Sequence, residues 1–344
     1  MQRRNLEIGT LALAVAALVA TAPAAAQPEA DEVVVTTGFR SENLFDTAGS
    51  VSVIDAGLIE ARQAEHLEAV INTAANVTMT SGASRGRFVQ IRGVGDLEQF
   101  VDPKHYPSIG VSIDGIDLGG IANAAMLFDA DQVEVLRGPQ GTRFGSSALA
   151  GQINIKTIEP TQSFDAYVDA GLADYGTAML GAAVGGALSD SVAGRIAVQR
   201  HRGDGYIDNA YLGRDDTNGY DETLVRGKLR FTPTDSATYD LTTILFDSDN
   251  GYDAFSLDNT RTTVSDEPGN DNLKLTAFGA KGTWQLDAGS SIEASLNRLD
   301  SDIDYGFDED WTFVGFCDGT ECDPVFDFFS NTDRYARERE EIGR

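Results

Sequence analysis

From residue 161 onward, apolar and polar positions alternate with a period of two. In FDAYVDAGL, Phe164, Ala166, Val168 and Ala170 share one face, and Asp165, Tyr167 and Asp169 share the other. SVAGRIAV sets Val192, Gly194, Ile196 and Val198 on one side. LVRGKLRF opposes Val225, Gly227, Leu229 and Phe231 to Arg226, Lys228 and Arg230, and ATYDLTTIL continues with Ala237, Tyr239, Leu241 and Leu245. Successive side chains of a strand point to opposite faces, so this half reads as antiparallel β throughout. The preceding stretch follows another pattern. IEARQAEHLEAVINTA spaces Ile59, Leu67, Val70 and Ile71 for one face of a helix, and FVQIRGVG, IGVSIDGIDL and DQVEVLRGP read as strands closed by Gly or Asp-Gly turns. The pattern predicts a small mixed α/β domain over 41–160 and strands over 161–344.

The connections between the strands separate a soluble sandwich from a membrane barrel. Three are tight, at 188–191, 232–236 and 286–290. They alternate with a short one at 173–177 and with long stretches at 202–222, 247–272 and 300–332. Tight turns at one end and extended loops at the other are what an outer-membrane barrel shows. A sandwich has no reason to keep its long loops on one side. The N-terminus agrees with export: Arg3 and Arg4 precede an apolar run over 8–20, and Ala24 and Ala26 satisfy the small-x-small rule, so 1–26 reads as a signal peptide cleaved after Ala26. The apolar run falls short of the roughly 20 residues a spanning helix needs.

A formal charge of −28 with a pI near 4.3 argues against nucleic acid, whose phosphates need lysine and arginine. Cys317 and Cys322, close together in an exported chain, read as a disulfide closing a small loop. The three histidines, at 66, 105 and 201, are scattered, so a zinc site lacks ligands, and none lies near a nucleophile turn; the chain is not expected to be an enzyme or to hold a cofactor or metal. DSDIDYGFDED over 300–310 fails as a calcium loop, because the sixth and twelfth places hold Tyr305 and Trp311 where glycine and glutamate are needed. VEVLRGPQGTRFGSSALAGQINI over 133–155 carries Gly138, Gly141, Gly145 and Gly151 with neither a phosphate-loop nor a dinucleotide spacing, and its next lysine is Lys156. Those glycines suit tight bends and close backbone approach.

Together these stretches resemble the TonB-dependent outer-membrane receptors, whose N-terminal plug sits inside a large β-barrel. DEVVVTTGFR (31–40) resembles the family's TonB box, IRGVG (91–95) and VSIDGIDLG (111–119) its plug core strands, and the 133–155 stretch its plug closure. The resemblance implies an N-terminal segment with the TonB box over 27–40, a plug over 41–160 and the first barrel strands over 161–344. It implies that Glu32, Val33, Val34, Val35 and Thr36 add as a strand to the C-terminal domain of TonB, which delivers energy from the inner-membrane proton gradient. It implies that Arg92 and Arg137 latch plug to wall through carboxylates, with acidic partners that can lie outside this chain, and that Gln99, Phe100, His105 and Tyr106 in the outward loop 96–108 meet the ligand.

The strand count departs from the family. The 180-odd residues after the plug suffice for seven strands and the start of an eighth, against the about 22 that a plugged barrel needs. The sequence is therefore expected to be the N-terminal part of a longer receptor, seated in outer-membrane lipid. By family habit its ligand is a ferric siderophore, with carbohydrate, haem or cobalamin uptake as alternatives and a passive barrel or adhesin as the contrasting class.

Overall fold

The computed structural model describes residues 34–35, 42–44, 47, 49–81, 84–95, 107–118, 120–287, 289–317 and 334–343. In the N-terminal domain, Val34–Val35 (β1) pairs antiparallel with Glu42–Asn43 (β2). Ser50–Asp55 (β3) runs directly into helix Ala56–Ala61 (α1). Asp55 is extended and its Oδ1 accepts the Leu58 N–H at 2.8 Å, satisfying an amide that a helix start leaves open. After helix Glu68–Ile71 (α2) come strands Val77–Ser81 (β4), Gly86–Ile91 (β5), Val94–Gly95 (β6), Ile109–Ile113 (β7), Ile116–Asp117 (β8) and Ala130–Arg137 (β9). A short helix Gly141–Phe144 (α3) and strand Gly151–Thr157 (β10) complete the domain. One sheet has the order β3-β9-β10-β7-β8, with β10 parallel to β7; β4-β5-β6 form another. The β7–β8 hairpin turns on Asp114 and Gly115, both with positive φ, which is the geometry an Asp-Gly pair favours. Gly138, at φ 116, makes the bend out of β9 that the glycine-rich stretch predicted.

The single helix expected across 59–74 is two helices. Between them the chain pairs with residues 125–127: Leu67 N–H donates to the Ala125 carbonyl at 3.0 Å, Leu127 N–H to the Glu65 carbonyl at 2.9 Å, and His66 bridges to Met126. Tertiary pairing outcompetes the local helix, yet Ile59, Leu67, Val70 and Ile71 are all buried as their spacing implied.

The second half comprises strands Asp165–Leu172 (β11), Ala178–Ser189 (β12), Val192–Gly203 (β13), Asp208–Asn209 (β14), Tyr220–Thr234 (β15), Ala237–Tyr252 (β16), Thr262–Thr263 (β17), Gly269–Asp287 (β18), Ser290–Asp308 (β19) and Arg334–Gly343 (β20). Eight of them form one antiparallel sheet, β11-β12-β13-β15-β16-β18-β19-β20. The tight turns fall where alternation placed them, between Ser189 and Val192, Thr234 and Ala237, and Asp287 and Ser290. The strands run further than expected into the stretches assigned to loops. Asp300, Asp302 and Asp304 lie on β19, and β16 reaches Tyr252. There the outward positions change from apolar to charged, as at Asp247, Asp249, Lys274, Asp302 and Asp304, so the apolar half of the pattern disappears while Leu273, Leu275, Ile303 and Tyr305 stay buried on the inner face.

Lower on the wall, the outward face is apolar and exposed: Leu180, Val184 and Leu188 on β12, Ile196 and Val198 on β13, Leu229 on β15, Leu241 and Leu245 on β16, Phe278 on β18 and Leu296 on β19. At the tight-turn end this band closes on an aromatic row. Phe231 stacks on Tyr239, centroids 6.0 Å apart, and Tyr239 meets Trp284 edge-on at 5.7 Å, with Trp284 Nε1–H donating to the Tyr239 hydroxyl at 3.1 Å. Apolar band and aromatic girdle together mark a lipid-facing surface. At the other end the long connections are tied together. β14 pairs with β17, Asn209 Nδ2 donates to Asp253 Oδ2 and to the Ser265 carbonyl, both at 2.9 Å, and Tyr211 stacks on Phe313 at 4.3 Å.

Candidate functional site

The inner face of the wall is where the N-terminal domain docks, and charged side chains from both sides meet there out of water. At the loop end the domain supplies cations. Arg85 donates from Nε to Glu222 Oε1 at 2.8 Å and from Nη2 to Oε2 at 2.6 Å, and its guanidinium lies 4.4 Å from the centre of the Tyr220 ring. Asn250 Nδ2 donates to the same Glu222 Oε1 at 3.0 Å. On the domain side, Glu68 accepts from Arg85 Nη1 at 3.3 Å and from the Gly86 N–H at 2.6 Å. Burial opposes the Arg85 charge, but the Glu222 carboxylate outweighs it and holds the guanidinium's pKa above its ordinary value. Two residues on, Arg87 Nη2 contacts both Asp271 oxygens at 2.6 and 2.7 Å, and Ser84 donates to Asp271 Oδ2 from its N–H at 3.0 Å and its hydroxyl at 2.7 Å. Arg85 and Arg87 reach the same wall because i and i+2 of an extended segment share a face.

At the tight-turn end the polarity reverses. Asp129 accepts from Arg195 Nε at 2.8 Å and Nη2 at 2.6 Å, and from the Tyr167 hydroxyl at 3.1 Å. Asp114, at the tip of the β7–β8 hairpin, accepts the Thr157 N–H at 2.9 Å and hydroxyl at 2.6 Å, and lies 3.4 Å from Lys228 Nζ. Burial pushes the Asp114 carboxyl up, but the Lys228 and Arg226 charges and the Thr157 bonds outweigh it, leaving its pKa below the usual carboxylate range. Glu159 meets Lys228 at 3.2 Å and Arg230 at 3.0 Å, and Asn297 Nδ2 donates to the Gly115 carbonyl at 3.0 Å. Arg226 is fully buried in this row. Its Nη1 donates to the Phe128 carbonyl at 2.8 Å, while Nε and Nη2 have no hydrogen-bond partner among the described residues. Gly181 on β12 leaves room for the Phe128 ring. The docked domain is thus positive toward the loops and negative toward the tight turns, and the wall is the reverse. That complementarity specifies one orientation and penalises the inverted one.

His66, fully buried beneath this surface, donates from Nε2 to the Ala122 carbonyl at 2.8 Å and accepts the Glu68 N–H on Nδ1 at 3.3 Å, the pattern of a neutral ring. Burial pushes its pKa below the ordinary value. Burial also pushes up the Glu65 carboxyl, which accepts from Gln199 Nε2 beside a cavity of ≈ 700 Å³ between α1 and β11.

The sequence-predicted residues are distributed unevenly over this picture. Val34 and Val35 lie in β1, while Glu32, Val33 and Thr36 fall outside the described residues, as do Gln99, Phe100, His105, Tyr106 and Cys322. Cys317 is disulfide-bonded. Arg92, at φ 55, is exposed at the β5–β6 turn. Arg137 donates to the Ala75 carbonyl at 3.0 Å and to the hydroxyls of Ser50 and Ser52, with its pKa lowered by burial and by the neighbouring Arg92 charge. Among the described residues neither arginine meets a wall carboxylate. Arg85, Arg87, Asp114, Asp129 and Glu159 make the observed latches instead. The wall partners had a readable signal: Arg226, Lys228 and Arg230 are charged positions opposite an apolar face. Arg85 and Arg87 had none, because arginines beside glycine recur at 92 and 137.

The geometry defines a class: a lipid-embedded antiparallel wall holding a folded domain against its inner face by buried charge pairs. Residues 43–152 match the TonB-dependent Receptor Plug Domain family. The chain is 30% identical over 148 residues to the pesticin receptor of Yersinia pestis, covering 43% of this chain and 21% of that protein. It is 27% identical over 210 residues to the vitamin B12 transporter BtuB of Vibrio vulnificus, covering 60% and 33%. In fold it is similar to the ferric yersiniabactin uptake receptor FyuA of Yersinia pestis, with a TM-score of 0.68 at 21% identity over 75% of this chain and 42% of that one. The chain spans 21% and 33% of the length of these two curated relatives. Residues 43–152 thus carry the plug domain of TonB-dependent receptors, and the strands that follow are similar in fold to the barrel of such outer-membrane receptors.

Proposed function

We propose that the receptor takes up a scarce extracellular ligand, a ferric siderophore, with work supplied through TonB. The observation that carries this reading is the latched plug: a domain pinned to the wall by charge pairs such as Arg87–Asp271, with both side chains 1% exposed, blocks passive diffusion. Opening such a lumen requires energy from outside the bilayer. Glu32, Val33, Val34, Val35 and Thr36 are the segment that TonB's C-terminal domain takes as an added strand. β1 suits such an exchange, since among the described residues two residue pairs join it to β2. Gln99, Phe100, His105 and Tyr106 contact the ligand from the outward loop, and Arg92 and Arg137 pair with carboxylates of the complete wall. Structures of similar fold whose names specify ferric ligands, the ferric yersiniabactin uptake receptor FyuA and the ferric-catecholate import receptor Fiu of E. coli, support the siderophore. Cobalamin is the second reading, favoured by the BtuB match across 60% of the chain.

Two measurements test this. A pull-down with the TonB C-terminal domain loses the receptor on Val34→Pro, and unchanged capture refutes strand addition. Receptor-dependent uptake of radiolabelled iron chelates under iron starvation, competed with cobalamin, identifies the ligand. Cobalamin uptake without iron uptake rejects the siderophore.

A further inference from the structure

The lipid face carries a groove that plug docking does not use. Gly186 on β12 and Gly194 on β13 are directly paired, and Gly227 on β15 lies opposite Ile196 on one side and Thr243 on the other. These small outward positions on three neighbouring strands, with Thr243 on the fourth, line a channel of ≈ 610 Å³ across four strands. Leu188, Leu229 and Leu241 wall it toward the tight turns, and Val184 and Ile196 toward the loops. Four strands span roughly 14 Å at about 4.8 Å per step. Glycine inside a strand is unfavourable and marks a site where something else approaches. At Gly227 that something lies outside the chain: a Cβ there would meet no atom within 4 Å, and the backbone is not in the left-handed region.

The groove's depth in the bilayer selects its occupant. Leu229 and Leu241 each lie two residues from the girdle pair Phe231 and Tyr239, so the groove opens beside the tight-turn interface, in the periplasmic leaflet, which is built of phospholipid. Every acyl chain there is equally apolar, so preference has to come from fit and from the headgroup rather than from the hydrophobic effect. The turns below the groove, 188–191 and 232–236, expose Asp190 and Asp235 and contain neither lysine nor arginine. We propose that this groove seats one acyl chain of an ethanolamine-headed phospholipid, whose ammonium faces Asp190 and Asp235, and that it disfavours anionic glycerol-headed lipids.

The test is native mass spectrometry of the protein released from outer-membrane vesicles in mild detergent, after exchange into equimolar phosphatidylethanolamine and phosphatidylglycerol. One retained ethanolamine lipid is expected, favoured about fivefold, the size that two exposed charge contacts produce. Gly227→Leu, which fills open space, is expected to remove it, and Asp190→Asn/Asp235→Asn to bring the two lipids to parity. Equal retention of both lipids by the unmodified protein means ordinary annular lipid only and overturns the proposal, as does undiminished retention by a folded Gly227→Leu variant. Should Gly227→Leu not fold, the aspartate variant decides: an unchanged preference overturns the headgroup assignment.

Discussion

Asp271→Ala removes one partner of the most enclosed latch. The Asp271 and Arg87 side chains are each 1% exposed, and the carboxylate accepts two contacts from Arg87 and two from Ser84. Truncation leaves the guanidinium buried beside the Tyr305 ring, 5.6 Å from its centre, and strands the Ser84 amide. Breaking a buried pair from one side costs about 3–5 kcal/mol, against about 0–1 kcal/mol for an exposed pair. At about 1.4 kcal/mol per factor of ten, opening of the β5 edge rises roughly 140- to 3,700-fold. Hydrogen exchange of the peptide spanning 84–91, in lipid nanodiscs, reads this directly, with β9 as an internal control. The double variant Arg87→Met/Asp271→Leu is expected to recover most of the protection, because two apolar side chains of similar size carry no charge to desolvate. Exchange within threefold of the parent in Asp271→Ala would refute the claim that this pair holds plug to wall.

Two further outcomes follow from buried groups. The folded-state pKa of His66 lies below its unfolded value near 6.5, so protonation favours the unfolded plug. Plug stability is intact above about pH 6.5, declines as pH falls through that value and levels off below the folded pKa; a protease-resistance profile flat from pH 8 to 5 contradicts it. Arg226→Met deletes a guanidinium whose Nη1 donates to the Phe128 carbonyl and whose Nε and Nη2 have no hydrogen-bond partner among the described residues. Replacing such a group with an apolar chain of similar length is expected to raise the thermal midpoint or leave it unchanged, since an unsatisfied buried donor costs about 1–3 kcal/mol. A drop of several degrees would show that Arg226's attraction to Asp114 and Asp129 outweighs its desolvation.

Alternation with period two was enough to identify the wall strands, their tight turns and the side facing lipid, because a strand's side-chain direction follows from its own backbone. The Asp-Gly hairpin at 114–115 was legible for the same local reason: only a few residue types accept its dihedrals. Three features depended on tertiary structure. The helix expected over 59–74 divides because residues 65–67 find partners at 125–127, far along the chain. The strand ends beyond the lipid band lost their signal where outward positions no longer needed to be apolar. The latches joined residues far apart in sequence, Arg85 to Glu222 and Arg87 to Asp271, and which of several Arg-Gly pairs would meet a carboxylate depended on where docking placed them. Periodicity records the environment of one element, whereas an ion pair between two bodies records their relative position, and that exists only once both have folded and met.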